Sequence, residues 1–150
     1  MDHQASIVSR NIIVTGGIGS DGPSSKIFIF NTINGIWSRL EINFEFPIFA
    51  HCTCSTNLGK LYIFGGMKSY LYTSNSKASR NETTTIIMTM DSNSEESSER
   101  KILQSYTQHQ KMEFCSEATL LYHRELSTAF LFGGWDGFKG TNRMYTISIS

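Results

Sequence analysis

Three short apolar runs, each closed by a pair of glycines, constrain this chain more than any other feature. They are Ile12-Ile13-Val14-Thr15-Gly16-Gly17, Leu61-Tyr62-Ile63-Phe64-Gly65-Gly66 and Phe130-Leu131-Phe132-Gly133-Gly134. Gly17 and Gly66 lie 49 residues apart, and Gly66 and Gly134 lie 68 apart. Runs rich in β-branched and aromatic residues fit strands. A glycine pair at a strand end suits a positive-φ bend, or a place where packing is too close for a side chain. One such pair is as readily an ordinary loop. Three in register with their flanking strands read as an internal repeat.

The flanks repeat as well. His3-Gln4-Ala5-Ser6-Ile7-Val8 and a turn at Ser9-Arg10-Asn11 lead into the first run. Ala50-His51-Cys52-Thr53-Cys54-Ser55 and a turn at Asn57-Leu58-Gly59 lead into the second. Before the third run, 114–121 is strand-like and 122–125 a polar turn; the matching place has no histidine, Glu117 being nearest. After the first glycine pair a polar loop over 18–25, with Asp21-Gly22-Pro23 as a turn signal, leads to Lys26-Ile27-Phe28-Ile29-Phe30. Asn34-Gly35 signals a hairpin, since both residues tolerate positive φ, and Ile36-Trp37-Ser38-Arg39-Leu40 alternates with period two. One repeat therefore reads as four strands of an antiparallel sheet, a single blade.

The later repeats depart from this plan. In the second, 84–90 is a third strand, but an acidic, Ser-rich stretch over 91–98 replaces the tight turn. Residues 100–103 then read as a fourth strand or, with Tyr106, as one face of a short helix. The stretch 73–85 is Ser/Thr/Asn-rich and reads as a loop. The third repeat has a loop over 135–142 with a turn signal at Asp136-Gly137, then a strand over 143–149.

The three glycine pairs, the spacing of seven residues between Phe30 and Trp37, and His51 in a first strand resemble the Kelch repeat family. The resemblance covers nearly the whole chain as one domain, with repeats over about 3–48, 49–113 and 114–150. It implies an all-β fold: about three four-stranded antiparallel Kelch-like blades forming an incomplete β-propeller sector. In the second repeat Met90-Asp91 fall at the family's aromatic-Asp pair, and Ser97 stands where the tryptophan belongs. In the third, Ile147 aligns with Phe30. The aromatic and the tryptophan are expected to fill the space between neighbouring sheets, burying about 150–250 Å² each.

Composition narrows the function. The 13 basic and 13 acidic side chains leave no net charge, hence no broad basic surface to draw nucleic acid or anionic lipid. The hydrophobic fraction of 39% supplies a core and is too high for a disordered chain. No apolar run approaches the roughly 20 residues of a membrane helix. Three cysteines are too few and odd for a disulfide scaffold. Met1-Asp2-His3-Gln4 lacks the basic start and apolar stretch of a signal peptide. The expectation is a reducing compartment, the cytoplasm or else the nucleus, with no nucleic-acid or membrane partner.

Candidate chemistry is sparse. His51, Cys52 and Cys54 share one strand, but alternation points the two cysteines one way and the histidine the other. With Cys115 from the next repeat they would still need another ligand to hold zinc or copper. The favoured reading is small apolar residues in a blade core, with no metal and no cofactor. His3, His109 and His123 show no partner spacing. The sequon Asn81-Glu82-Thr83 reads as chance, and 91–99 as a solvated loop rather than a phosphorylation cluster.

Loops are the better candidates, because a rigid sheet scaffold leaves them to carry binding. By the resemblance, partners dock on the loops after the glycine pairs and between blades, here 18–25, 67–83, 135–142, 41–47 and 104–113. Tyr70, Tyr72, Trp135, Asp136 and Phe138 are the candidate contacts, aromatics being enriched in hot spots; Phe44 and Phe46 could equally pack inward. The expected function is a non-catalytic protein–protein interaction module. The alternatives are a fragment or degenerate product of a larger Kelch protein (a ubiquitin-ligase adaptor, an actin binder or a tRNA-modifying enzyme subunit) and a Kelch-type metal-dependent enzyme. Three blades fall short of the four to eight of closed propellers. This length predicts a truncated chain, or completion by a second copy or another subunit through open blade edges.

Overall fold

The runs of β-branched and aromatic residues fold as strands, and the polar Gly-, Asn- and Ser-containing stretches between them turn the chain. The computed structural model describes residues 1–41, 43–44, 47–68, 85–89, 103–106, 115–136 and 138–149. Every regular element among these residues is a strand. No helix among them is long and apolar enough to cross a membrane.

Sheet I contains β1 (Gln4–Val8), β2 (Asn11–Thr15), β5 (Ile27–Asn31) and β6 (Ile36–Arg39), antiparallel in that order. A small hairpin of β3 (Ile18–Gly19) and β4 (Gly22–Pro23) is inserted after its glycine pair. β7 (Ile48–Phe49) precedes sheet II, which contains β8 (Cys52–Ser55), β9 (Lys60–Phe64), β11 (Thr85–Thr89) and β12 (Leu103–Tyr106). β10 (Met67–Lys68) follows the second glycine pair and pairs with β7. Sheet III is three-stranded: β13 (Thr119–His123), β14 (Thr128–Phe132) and β15 (Met144–Ser148).

Period-two alternation decides which side chains meet. Val8, Ile13, Ile27 and Ile29 of sheet I pack with Leu61 and Ile63 of sheet II, together with Phe44 and Ile48, in one buried cluster. Cys52, Cys54, Tyr62 and Phe64, on the other face of sheet II, pack with Cys115, Ala129, Leu131 and Ile149. Sheet II is therefore covered on both faces. At the first seam, Ser6 and Thr53 join their hydroxyls across the sheets at 2.7 Å.

Several boundaries differ from those read along the sequence. The first strand of sheet III begins at Thr119, and its turn falls at 124–127, two residues later than the polar residues suggested. Cys115 thus precedes the strand instead of lying on it. The last strand of sheet II is Leu103–Tyr106, which removes the helical reading of Leu103 and Tyr106. Asn34-Gly35 closes a four-residue connection over 32–35, not a two-residue turn. The Asn31 side chain accepts the amides of Ile33 and Asn34, and Gly35 has φ 70°.

Register also moves two assignments. Ile12 pairs with Phe30, which pairs with Trp37; Leu61 pairs with Met88, which pairs with Gln104. The place of Phe30 in the second repeat therefore falls to Met88, and that of Trp37 to Gln104. Met90 and Ser97, named from the sequence, lie outside the described residues. Counting fails here because the connection between β9 and β11 is longer than its counterpart, and strand pairing, not separation from the glycines, sets register. In sheet III the count succeeds: Ala129 pairs with Ile147, at the place of Phe30.

Phe30 and Trp37 do touch, ring centres 5.0 Å apart and planes at 43°. They do not fill a gap between sheets, however. Both lie on the face of sheet I turned away from sheet II, and Trp37 is 59% exposed.

Candidate functional site

The glycine pairs are the seams between sheets. A Cβ on Gly16 would strike the carbonyl of Ile48, and one on Gly65 the carbonyl of Cys115. The same two carbonyls accept the amides of Gly17 and Gly66, at 2.8 and 2.9 Å. The second glycines press against the entry of their own sheet: Gly17 against His3, Gly66 against His51, Gly134 against Ala118. Ala118, not Glu117, therefore holds the histidine's place in the third repeat. Gly133 has the same left-handed backbone, φ 70°, but its nearest neighbour is the Thr141 carbonyl at 3.4 Å.

A second thread runs beside the glycines. Asp2, Ala50 and Glu117 precede the three sheet entries, each at positive φ (59°, 53° and 55°). The Ala50 amide donates to the Asp2 carbonyl at 3.0 Å, and the Glu117 amide to the Ala50 carbonyl at 2.8 Å.

His51 sits at the junction of sheets I and II, immediately before β8, and is buried. Its Nε2 lies 2.8 Å from Thr15 Oγ1, while Nδ1 has no partner among the described residues. Desolvation, reinforced by the nearby His3 charge, pushes its pKa down to about 4. Burial thus favours the neutral ring, which links the end of β2 to the entry of sheet II through Thr15.

The three cysteines are all free and buried within one cluster. Among the described residues no group of three His, Cys, Asp or Glu side chains converges as metal ligands would. Cys52 donates its S–H to the Phe64 carbonyl at 3.4 Å, and Cys115 to the Gly133 carbonyl at 3.5 Å. Burial pushes Cys52 and Cys54 up to about 12 and raises Cys115 as well, with neighbouring thiols adding to the shift at Cys52. Thiols held protonated and covered do not act as nucleophiles. Titration of the native protein with a thiol reagent at pH 7 is expected to label none of the three rapidly, and all three in denaturant. Fast labelling of one native thiol would contradict this assignment.

The loop after the third glycine pair is well built for display. Trp135 and Ser116 exchange backbone hydrogen bonds of 2.7 and 3.1 Å, and Trp135 also bridges to Gly140. Asp136 Oδ1 accepts the amides of Phe138 and Lys139, both at 2.9 Å. The Lys139 amide first, then that of Phe138, lowers its pKa. The Asp136 amide donates to the Lys139 carbonyl at 3.1 Å, and the Thr141 amide closes the base on the Gly134 carbonyl at 2.9 Å. On this pinned loop Trp135 is 41% exposed and Phe138 74%. Asp136 therefore organises the loop through Oδ1.

Other candidates disperse. Phe44 is buried in the first cluster, away from any docking role. Tyr70, Tyr72 and Phe46 lie outside the described residues, as do 69–84. The sequence reading did not anticipate a cavity of about 460 Å³ under the β3–β4 hairpin, with His3, Val14, Ser20, Asp21, Lys26 and Phe28 in its lining. The only sequence signal for it was the polar insertion over 18–25. Met1 ties the hairpin down, its amino group donating to the Ile18 carbonyl and its carbonyl accepting the Ile18 amide, both at 2.7 Å.

The elements define an all-β protein of antiparallel meandering sheets stacked by their faces. No protein-family model and no curated protein matches the sequence. Among solved structures, 108 chains match. One described as the structure of YjhT aligns with a TM-score of 0.67 at 16% identity, over 99% of this chain and 52% of that one. The present chain thus spans about half the length of the YjhT chain, and the likeness is one of fold.

Proposed function

We propose that the chain is a non-catalytic binding module, three Kelch-like blades of a β-propeller sector that hold loops for a protein partner. The observation that carries this reading is the loop begun by Trp135. Two exposed aromatics stand on a backbone already fixed by the Asp136 carboxylate and by bridges to Ser116 and Gly140. A loop ordered before binding loses little entropy on docking, and tryptophan and other large aromatics supply most of the energy at small contact centres.

Two variants test it, Trp135→Ala and Asp136→Ala, the second unpinning the loop while leaving both aromatics. Co-purification from the native cell extract, followed by quantitative mass spectrometry, is expected to lose the same proteins at least tenfold with either. An unchanged set of bound proteins would refute the loop as the docking surface.

A second reading is favoured by the half-length match to YjhT: the chain is one part of a longer propeller. Isolation of the native protein and its intact mass distinguishes the two. A mass well above that of 150 residues supports the second.

A further inference from the structure

Both internal seams of this protein are built from the same two kinds of face. Counting back from the second glycine of each pair, Phe130 and Phe132 correspond to Tyr62 and Phe64, and to Ile13 and Thr15. Tyr62 and Phe64 are buried in the seam with sheet III; Ile13 and Thr15 are buried on the side of sheet I that meets sheet II. The opposite face gives a second series: Ile12 and Val14 correspond to Leu61 and Ile63, and to Ala129 and Leu131. The last four are buried in the two seams. Each seam therefore joins a face of the first kind to a face of the second.

Two faces remain uncovered among the described residues, one of each kind. Sheet III turns outward Leu121, Phe132 and Met144, exposed by 65%, 53% and 64%. Sheet I turns outward Ile7, Phe28 and Trp37, exposed by 65%, 37% and 59%. Large adjoining apolar faces of this sort mark association sites.

We propose that two copies of this chain associate head to tail, the outer face of sheet III in each copy packing on the outer face of sheet I in the other. The two faces complement each other because their internal counterparts already pack together twice. At the first seam Ser6 meets Thr53; by the same register Leu121 meets the second copy's Ala5, an apolar pair in place of a polar one. The backbone thread also continues. Ala50 donates to Asp2, and Glu117 to Ala50, so the Asp2 amide of each copy, already in the left-handed conformation of Ala50 and Glu117, lies where it can extend the same line of contacts.

Heterologous contacts either close into a ring or run on as a filament. Two copies bring six sheets, within the range of roughly four to eight that closed propellers use.

Sedimentation velocity of the 150-residue chain at micromolar concentration tests the pairing. The expected species has twice the chain mass. Ile7→Lys and Leu121→Lys each place a charge on one outer face, at side chains exposed in the single copy, and each alone is expected to sediment as a monomer with an unchanged circular dichroism spectrum. If either lysine disturbs the spectrum, Ile7→Ser and Leu121→Ser take their places. Mixed in equal amounts, the two variants are expected to return to dimers, because each retains the face the other lacks. A wild-type monomer, assembly beyond two copies, or a mixture that stays monomeric would overturn the proposal. Mass is the readout, so failure here is separable from failure of the loop beginning at Trp135.

Discussion

Gly65→Ala is expected to destabilise the protein by about 3 kcal/mol or more, and Gly133→Ala by only about 1–2 kcal/mol. The two glycines share nearly the same backbone, φ 65° and 70°. An alanine at either place bears the left-handed penalty of an L-residue. Only at Gly65 does the added Cβ run into backbone, the carbonyl of Cys115. Relief there requires the seam to open. That movement breaks the bond from the Gly66 amide to the same carbonyl and loosens Cys115 from its cluster. At Gly133 the nearest atom stands at 3.4 Å and can be accommodated. Urea unfolding followed by circular dichroism measures both. Equal losses at the two positions would show that backbone conformation alone, and not sheet-to-sheet contact, imposes the glycine.

Stability is expected to rise by about 3 kcal/mol between pH 4 and pH 6.5, and His51→Gln is expected to flatten much of that rise. Burial and the His3 charge hold the folded His51 pKa near 4, against 6.5 in the unfolded chain. Between those values the unfolded state binds the extra proton and the folded state does not, so acid favours unfolding and stability grows with pH across the window. The geometry gives the reason. An imidazolium must donate from both nitrogens, yet only Nε2 has a partner, the Thr15 hydroxyl, and Nδ1 faces no acceptor among the described residues. Chemical denaturation at a series of pH values, wild type against His51→Gln, isolates the contribution of this one group from that of the carboxylates. Parallel curves for the two proteins would remove His51 as the cause.

The strands were legible wherever the residues themselves carry the signal. The runs before Gly16, Gly65 and Gly133 are strands because β-branched and aromatic side chains suit a pleated, half-buried surface. The close approach at Gly16 and Gly65 was readable because glycine is the residue that tolerates both the bend and the contact. The build of the Trp135 loop was legible only in outline. Two aromatics and the turn signal at Asp136-Gly137 marked it, but not the bonds by which Asp136 Oδ1 accepts the Phe138 and Lys139 amides.

What the sequence by itself determined is the principal strands beside the glycine pairs and their antiparallel meander, since these follow from local alternation and from turn residues that act within a few positions; the short strands β3, β4 and β10 fall in stretches, 18–25 and 67–83, that it read as loops. Tertiary structure alone decided which residues are partners across sheets. It put Ala118 rather than Glu117 at the histidine's place, Met88 rather than Met90 at that of Phe30, and Trp37 on an open face rather than in a filled gap. The physical reason is common to all three. Register and burial depend on which strands pair and on what covers a face, contributed by residues well removed along the chain, and no spacing along one strand records those neighbours.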